Sequence, residues 1–174
     1  TSLPQEEEDD GEAVTKERTH IFRLPDFAGD ERPLTGSERG TATHIVMQFI
    51  DFAKTGTLSE IESEVQRIKA LGQLTERQAR AVDCASILGF FVSGTGKRIK
   101  SADKVHREKR FSLLCPAGVF FPNGGNESVL LQGVVDCCIE EQGVLTVIDY
   151  KTDYATQETL SDLTEHYRKH LLAY

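Results

Sequence analysis

The first half of the chain carries apolar residues at helical spacing. In GSERGTATHIVMQFIDFA, residues 36–53, apolar positions recur three and four residues apart, which predicts an amphipathic helix. A second helix is predicted to start at Ser59, with Glu62 completing a capping box between side chains and backbone. The chain therefore begins its ordered part with helices.

A third helix is predicted after Thr75, with Gln78 as the partner in its capping box. Its apolar stripe continues to about Val92. Gly94 and Gly96 follow, and glycines at that place predict the end of the helix.

The second half of the chain changes period. After a short helix over residues 101–105, alternating and β-branched residues predict strands over 108–115, 128–141 and 144–152, with EQG as a tight turn between the last two. Residues 156–174 again show helical spacing. Helices, a three-strand meander and a final helix predict an α+β or mixed α/β fold.

Composition fits a cytoplasmic protein of one domain. The chain has 174 residues with 39% hydrophobic residues, and no apolar run is long enough to span a membrane. The start of the sequence lacks the basic and then apolar order of a signal peptide. The cysteines show no CxxC spacing, so we expect reduced thiols rather than a zinc or iron–sulfur site: Cys84, Cys115, Cys137 and Cys138.

Charge is distributed unevenly. The net charge is −8, but the first twelve residues hold six of the 28 acidic residues, which leaves 22 acidic against 20 basic residues elsewhere. Residues 1–20 are predicted to be an acidic, disordered linker. Residues 97–110 are rich in Lys and Arg, which indicates either a surface that follows a phosphate backbone, the interpretation we favour, or a solvated face.

The candidate chemistry lies where two predicted strands end. A hairpin turning near residues 142–143 brings Asp136 close to Asp149, and Lys151 falls on the same strand face as Asp149. Two adjacent carboxylates favour a shared cation, and oxygen ligands suit Mg²⁺ or Mn²⁺ better than zinc. The Tyr150 carbonyl is a further oxygen donor. The alternative is a plain ion pair between Asp149 and Lys151.

Five short motifs occur in the order found in a known group of nucleases. The set resembles the RecB-like branch of the PD-(D/E)xK nuclease superfamily, and its wording is most similar to the C-terminal nuclease domain of AddA-type helicase–nuclease subunits. The motifs are GTATH (40–44), REKRF (107–111), GVVD (133–136), DYKT (149–152) and YRKHLLAY (167–174).

The resemblance implies a metal site and a restriction-endonuclease-like core, a central mixed sheet flanked by helices. By this resemblance, His44, Asp136 and Asp149 are metal ligands together with the Tyr150 carbonyl. The implied cofactor is Mg²⁺, with Mn²⁺ as a substitute.

The resemblance also implies roles for residues around the metal. Lys151 is the expected catalytic lysine, and Glu108 is expected to support the site. Tyr167 and Tyr174 are expected on a helix that closes over the site and meets the DNA strand. His170 stands where the family has glutamine, so that residue's role as a DNA contact carries over less directly.

As a whole, the resemblance implies a bacterial exonuclease domain over residues 21–174 that hydrolyses single-stranded DNA during double-strand break repair and recombination. Because the final motif ends at Tyr174, where family members continue, we expect a piece of a longer chain. The expected partners are the helicase part of the same polypeptide and an AddB-type subunit, with no membrane. Two alternatives are a stand-alone phage-type or Cas4-like exonuclease and a non-catalytic DNA-binding or docking module.

Overall fold

Helices occupy the first half of the domain and an antiparallel sheet the second, so the predicted class is confirmed. The computed structural model describes residues 33–121, 123–125, 127–153 and 155–171, with side chains to residue 168. The predicted linker over residues 1–20 lies outside these ranges. The elements are α1 (Gly36–Phe49), α2 (Leu58–Ala70), α3 (Glu76–Ala81), α4 (Cys84–Val92), α5 (Gly94–Ser101), β1 (Lys104–Pro116), β2 (Ser128–Glu141), β3 (Val144–Ile148) and α6 (Leu160–Leu171).

Capping side chains set the helix starts. The second helix begins one residue earlier than predicted, because Thr57 is its N-cap and Glu60 closes the capping box. The assignment to Ser59 and Glu62 is therefore wrong. Both pairs have the same spacing, and the sequence alone does not distinguish them.

The third predicted helix is two helices. The box formed by Thr75 and Gln78 is confirmed, but α3 ends at Ala81. Asp83 then caps α4 by accepting a hydrogen bond from the Ser86 amide. The apolar periodicity continues across this break, which hid it in the sequence.

The glycines after α4 do not end a helical segment as predicted. Ser93 caps a new helix, α5, by accepting a hydrogen bond from the amide of Gly96. A Cβ atom at Gly96 would lie 2.2 Å from the Phe90 carbonyl oxygen, so this glycine allows α4 and α5 to pack closely. The helix predicted over 101–105 is also wrong, because α5 ends at Ser101 and β1 begins at Lys104.

The sheet is a three-stranded meander in the order β1-β2-β3, with both neighbouring pairs antiparallel. The predicted bounds of β2 are confirmed, and β1 begins four residues before the predicted start. Gln142 and Gly143 have φ angles of 50° and 79°, as expected for a two-residue turn of type I′. This turn fixes the pairing of β2 with β3.

Two apolar clusters hold the helices and the sheet together. The larger one joins residues of α1 to α4, including Val46, Ile61 and Phe91. The smaller one is formed by Ile99 of α5 with Cys137 and Ile139 of β2. Partly buried Phe52, Phe90 and Tyr150 contact both clusters, so the segment just after β3 is anchored in the core.

Two further expectations concern cysteines and membranes. All four cysteines are free, and Cys137 and Cys138 are buried, as expected for reduced thiols. No helix in the described ranges is both long enough and apolar enough to cross a bilayer.

Candidate active site

The pairing of β2 with β3 brings the two aspartates of the candidate site together. Cys137 pairs with Ile148 at the end of the ladder. One step further in the same register places Asp136 opposite Asp149, on the same side of the two strands. The position of the turn in the sequence predicts this arrangement.

Glu108 extends the row of acidic residues to the first strand. Arg107 pairs with Cys137 and Lys109 pairs with Val135, so Glu108 lies opposite Asp136. Its φ angle of 50° is left-handed, a conformation that costs a residue other than glycine about 1–3 kcal/mol. Such strain within a strand is a feature of functional sites, and here it interrupts β1 beside Asp136. Burial and the charge of Asp136 both raise the pKa of Glu108.

Asp136 is held from two directions. Its Oδ1 lies 3.5 Å from Nδ1 of His44 on α1, and its Oδ2 accepts a hydrogen bond of 2.8 Å from the Tyr150 amide. Burial by itself would raise the pKa of Asp136, but these two interactions more than offset it and the pKa is lowered. The hydrogen bond to Asp136 in turn raises the pKa of His44. The helix and the sheet thus meet at an ionised carboxylate.

Lys151 is held between a carboxylate and an aromatic ring. Its Nζ lies 2.6 Å from Oδ2 of Asp149 and 4.9 Å from the centroid of the Tyr167 ring. The Tyr167 hydroxyl donates a hydrogen bond to Asp153. Burial would lower the pKa of Lys151, but the contact with Asp149 outweighs it and the pKa is raised. Helix α6 therefore contacts the site through Tyr167.

The start of α1 lies against the segment that carries the lysine. A Cβ atom at Gly40 would be 2.9 Å from Thr152 Oγ1, closer than Cβ atoms normally approach a neighbour. A glycine at this place lets the helix that carries His44 approach the chain next to Lys151.

The donor types at the site suit a hard divalent cation. Carboxylate oxygens from Asp136, Asp149 and Glu108, a carbonyl at Tyr150 and an imidazole at His44 are ligands that Mg²⁺ or Mn²⁺ accepts. Among the described residues, however, no three such side chains are already grouped for metal binding. Asp149 contacts Lys151 and Asp136 contacts the Tyr150 amide, so the ligand types fit while cation binding has to compete with these contacts.

The remaining predicted residues have different outcomes. Tyr167 faces Lys151, so its ring is at the site, whereas its contact with DNA stays a prediction. The side chain of His170 and the whole of Tyr174 lie outside the described part of the chain.

The basic stretch over residues 97–110 is largely engaged within the domain. Arg98 pairs with Glu141, and Lys104 pairs with Glu140. Arg107 turns inward, toward the end of α1. The role of this stretch as a surface for phosphates stays a prediction, with fewer free cations than the sequence indicated.

Three residues near the site were not predicted. Thr152 and Asp153 follow the DYKT lysine directly, so their position in the sequence was the available signal. Arg107 was counted as a surface base, although it shares strand parity with Val105 and pairs with buried Cys137. That parity could have placed it on the inner face.

Comparison with known proteins assigns the fold and the site to one class. A model of the PD-(D/E)XK nuclease superfamily matches residues 17–174, and the chain belongs to this superfamily. Nucleases of this class generally use divalent metal ions. The row of acidic residues followed by a lysine agrees with that membership.

Relatives narrow the class to one kind of helicase–nuclease component. Proteins named as the AddA-type subunit of an ATP-dependent helicase/nuclease are similar over most of the chain, which confirms the predicted resemblance. The one from Acetivibrio thermocellus is 33% identical over 88% of this chain and 12% of its own length. The one from Geobacillus thermodenitrificans is 40% identical over 78% of this chain and 11% of its own length. The chain thus spans about one eighth of the length of these relatives.

Proposed function

We propose that this domain is a Mg²⁺-dependent deoxyribonuclease that hydrolyses phosphodiester bonds of single-stranded DNA, working from a strand end. The observation that carries the proposal is the register of β2 and β3, which sets Asp136 opposite Asp149 with Lys151 in contact with Asp149. In a chain of the PD-(D/E)XK superfamily, that is the arrangement expected of a catalytic centre.

The proposed ligands of the cation are Asp136, Asp149, His44 and the Tyr150 carbonyl. When bound, Mg²⁺ would polarise the phosphate and lower the pKa of a water molecule. The chain's own contribution is to fix the ligands. Asp136 is oriented by His44 and by the Tyr150 amide, and the side chain of Tyr150 is anchored in the core.

Lys151 and Glu108 are proposed to act on the substrate and the attacking water. The ammonium group of Lys151 is a hydrogen-bond donor that can neutralise charge on a phosphate oxygen and orient a water molecule. Glu108 projects from a strained position opposite Asp136, where its carboxylate can accept a hydrogen bond from water. As the scissile P–O bond breaks, water supplies the new oxygen on phosphorus.

The setting of the activity is proposed from the relatives. Their name describes an ATP-dependent helicase and a nuclease together, which supports a helicase part in the same polypeptide as this domain. We propose a DNA strand delivered by that motor, an AddB-type partner, and work in repair of double-strand breaks in the bacterial cytoplasm. Tyr167, on the helix beside Lys151, is a proposed contact for the strand.

Cleavage of labelled single-stranded DNA tests the proposal. With Mg²⁺ present, we expect cleavage by the parent chain, loss of cleavage in Asp149→Ala, and parental cleavage in Asp162→Ala, a control in the first turn of α6. An Asp149→Ala chain that cuts at the parental rate would refute the assignment.

Two additional measurements separate the alternatives. An exonuclease leaves circular single-stranded DNA intact, so cleavage of circles would contradict action from strand ends. A non-catalytic DNA-binding module would show no thermal shift with Mg²⁺ or Mn²⁺, whereas the proposed site predicts one.

A further inference from the structure

The side chain of Arg107 joins the first strand to the end of helix α1. One guanidinium nitrogen, Nη1, donates hydrogen bonds to the carbonyl oxygens of Gln48 and Ile50, at 2.9 and 2.7 Å. Carbonyl groups in the last turn of a helix have no partner within the helix. Arg107 supplies two of them from β1.

An aromatic ring fixes the same guanidinium group. Arg107 lies 3.5 Å above the centroid of the Phe52 ring, and the Arg107 side chain is partly buried. Stacking and forked hydrogen bonding use the planar shape of arginine, which lysine does not have. The contact therefore defines both the direction and the distance between β1 and the end of α1.

This clamp is directly next to the candidate site on both of its elements. On the sheet, Arg107 precedes Glu108 and pairs with Cys137, the residue after Asp136. On the helix, Gln48 lies four residues after His44, a rise of about 6 Å. The clamp and the contact between His44 and Asp136 thus connect the same two elements about one turn apart.

We propose that Arg107 is a positioning residue for the metal site, because it sets the place of α1 against the sheet so that His44 meets Asp136. This inference rests on the proposed metal site. A role limited to capping the helix would stabilise the fold equally and leave the site unaffected.

The chain contains a matched control for that distinction. Arg67, on α2, donates from Nη2 to the carbonyl oxygen of Phe49 at 2.8 Å, at the same end of α1. It does not reach the sheet, and its other hydrogen bonds are to Glu64. Arg107→Lys and Arg67→Lys therefore both weaken the cap, but only the first loosens the connection to β1.

Mn²⁺ titration by calorimetry is the main test, on variants shown to be folded by urea denaturation. We expect Arg107→Lys to weaken Mn²⁺ binding about ten- to hundredfold, as is usual when a partner that orients metal ligands is lost. Arg67→Lys should bind Mn²⁺ like the parent, even where its stability is lower. In a His44→Ala background, Arg107→Lys should have little further effect on affinity.

Three results would overturn the proposal: parental Mn²⁺ affinity in folded Arg107→Lys, equal loss in Arg67→Lys, or an undiminished effect of Arg107→Lys in the His44→Ala background. If Arg107→Lys does not fold, Phe52→Leu provides a milder change, because it removes the stacking surface alone. Weaker Mn²⁺ binding is expected from Phe52→Leu, and parental affinity would contradict the proposal.

A measurement without metal separates this inference from the proposed function. The NMR signals of the His44 ring, recorded at one pH, should shift in Arg107→Lys and stay in place in Arg67→Lys. A parent chain that binds no Mn²⁺ would refute the metal site while the shift still confirms the positioning. Unchanged His44 signals in Arg107→Lys would refute the positioning itself.

Discussion

Lys151 and Asp149 form an ion pair of 2.6 Å at the point where β3 ends. The sequence allowed two interpretations of these residues, an ion pair or part of a site, and the structure shows that they are compatible. Asp149 stands opposite Asp136 in the strand register while it contacts the lysine. In the proposed site, a bound cation and Lys151 would compete for this carboxylate.

The lysine is expected to act in turnover rather than in metal binding. Because its ammonium group donates hydrogen bonds and does not ligate metal, Lys151→Ala should keep Mn²⁺ affinity. Cleavage of single-stranded DNA should fall about 10²–10³-fold, the usual cost of removing one electrostatic stabiliser. Lys69→Ala, which removes a surface lysine that pairs with Glu76, is the control and should cleave normally. A collapse of Mn²⁺ affinity in Lys151→Ala would disprove this division of roles.

Gly40 is expected to matter for activity because of its contact with Thr152. Alanine in a helix interior is favoured over glycine by about 1 kcal/mol, so Gly40→Ala has little intrinsic cost to the helix. The added Cβ atom, however, would lie 2.9 Å from Thr152 Oγ1 and push the segment beside Lys151. We expect cleavage to fall about ten- to hundredfold, as small displacements at catalytic sites do.

Two variants check this explanation of Gly40. Gly89→Ala, in α4, adds a Cβ atom with no atom within 4 Å, and should keep activity. Thr152→Ala combined with Gly40→Ala removes the overlapping oxygen, so it should cleave faster than Gly40→Ala alone. If Gly40→Ala cleaves like the parent, the close contact has no functional role.

The hydroxyl of Tyr150 is expected to be dispensable. It is buried without a hydrogen-bond partner among the described residues, and burial raises the pKa of Tyr150. An unsatisfied buried hydroxyl costs about 1–3 kcal/mol, so Tyr150→Phe should leave the free energy of unfolding unchanged or raise it. Cleavage should persist because the backbone carbonyl remains. Urea denaturation checks this, and a clear loss of stability would show that the hydroxyl has a partner.

Glu64 is expected to make the stability of the domain depend on pH. It is 2% exposed, pairs with Arg67 at 2.6 Å and accepts a hydrogen bond from the Asp51 amide. The hydrogen bond with Arg67 lowers its pKa, although burial opposes this. A lowered pKa in the folded state stabilises the fold above the ordinary glutamate pKa of about 4.3. That stabilisation is lost as pH falls through the folded-state pKa.

Glu64→Gln tests this linkage. At neutral pH it should lower the free energy of unfolding by about 3 kcal/mol, because Arg67 is left without its buried partner. The difference from the parent should shrink as pH falls below the ordinary glutamate pKa. A difference that stays constant with pH would contradict the assignment.

The sheet was more predictable from the sequence than the helices. The EQG turn fixed the pairing of β2 with β3, and with it the position of Asp136 opposite Asp149, because side chains alternate strictly along strands. The break at Asp83 and the helix that begins after Ser93 were missed, since apolar spacing runs through the first and glycines obscured the second.

Contacts between distant segments were out of reach of sequence patterns. The left-handed backbone of Glu108 and the close approach of Gly40 to Thr152 depend on tertiary packing. Arg107 was assigned to a basic surface because its charge is visible in the sequence, whereas the carbonyl groups that it binds are not.

Binding of Mn²⁺ to the parent, Asp136→Asn, Asp149→Asn and the double variant is the most direct test of the central claim, that these two residues share one cation. Calorimetry should show one site in the parent and loss of that site in each single variant. The double variant should be no worse than either one. Parental affinity in either single variant, or independent losses that add in the double variant, would show that Asp136 and Asp149 do not hold a common ion.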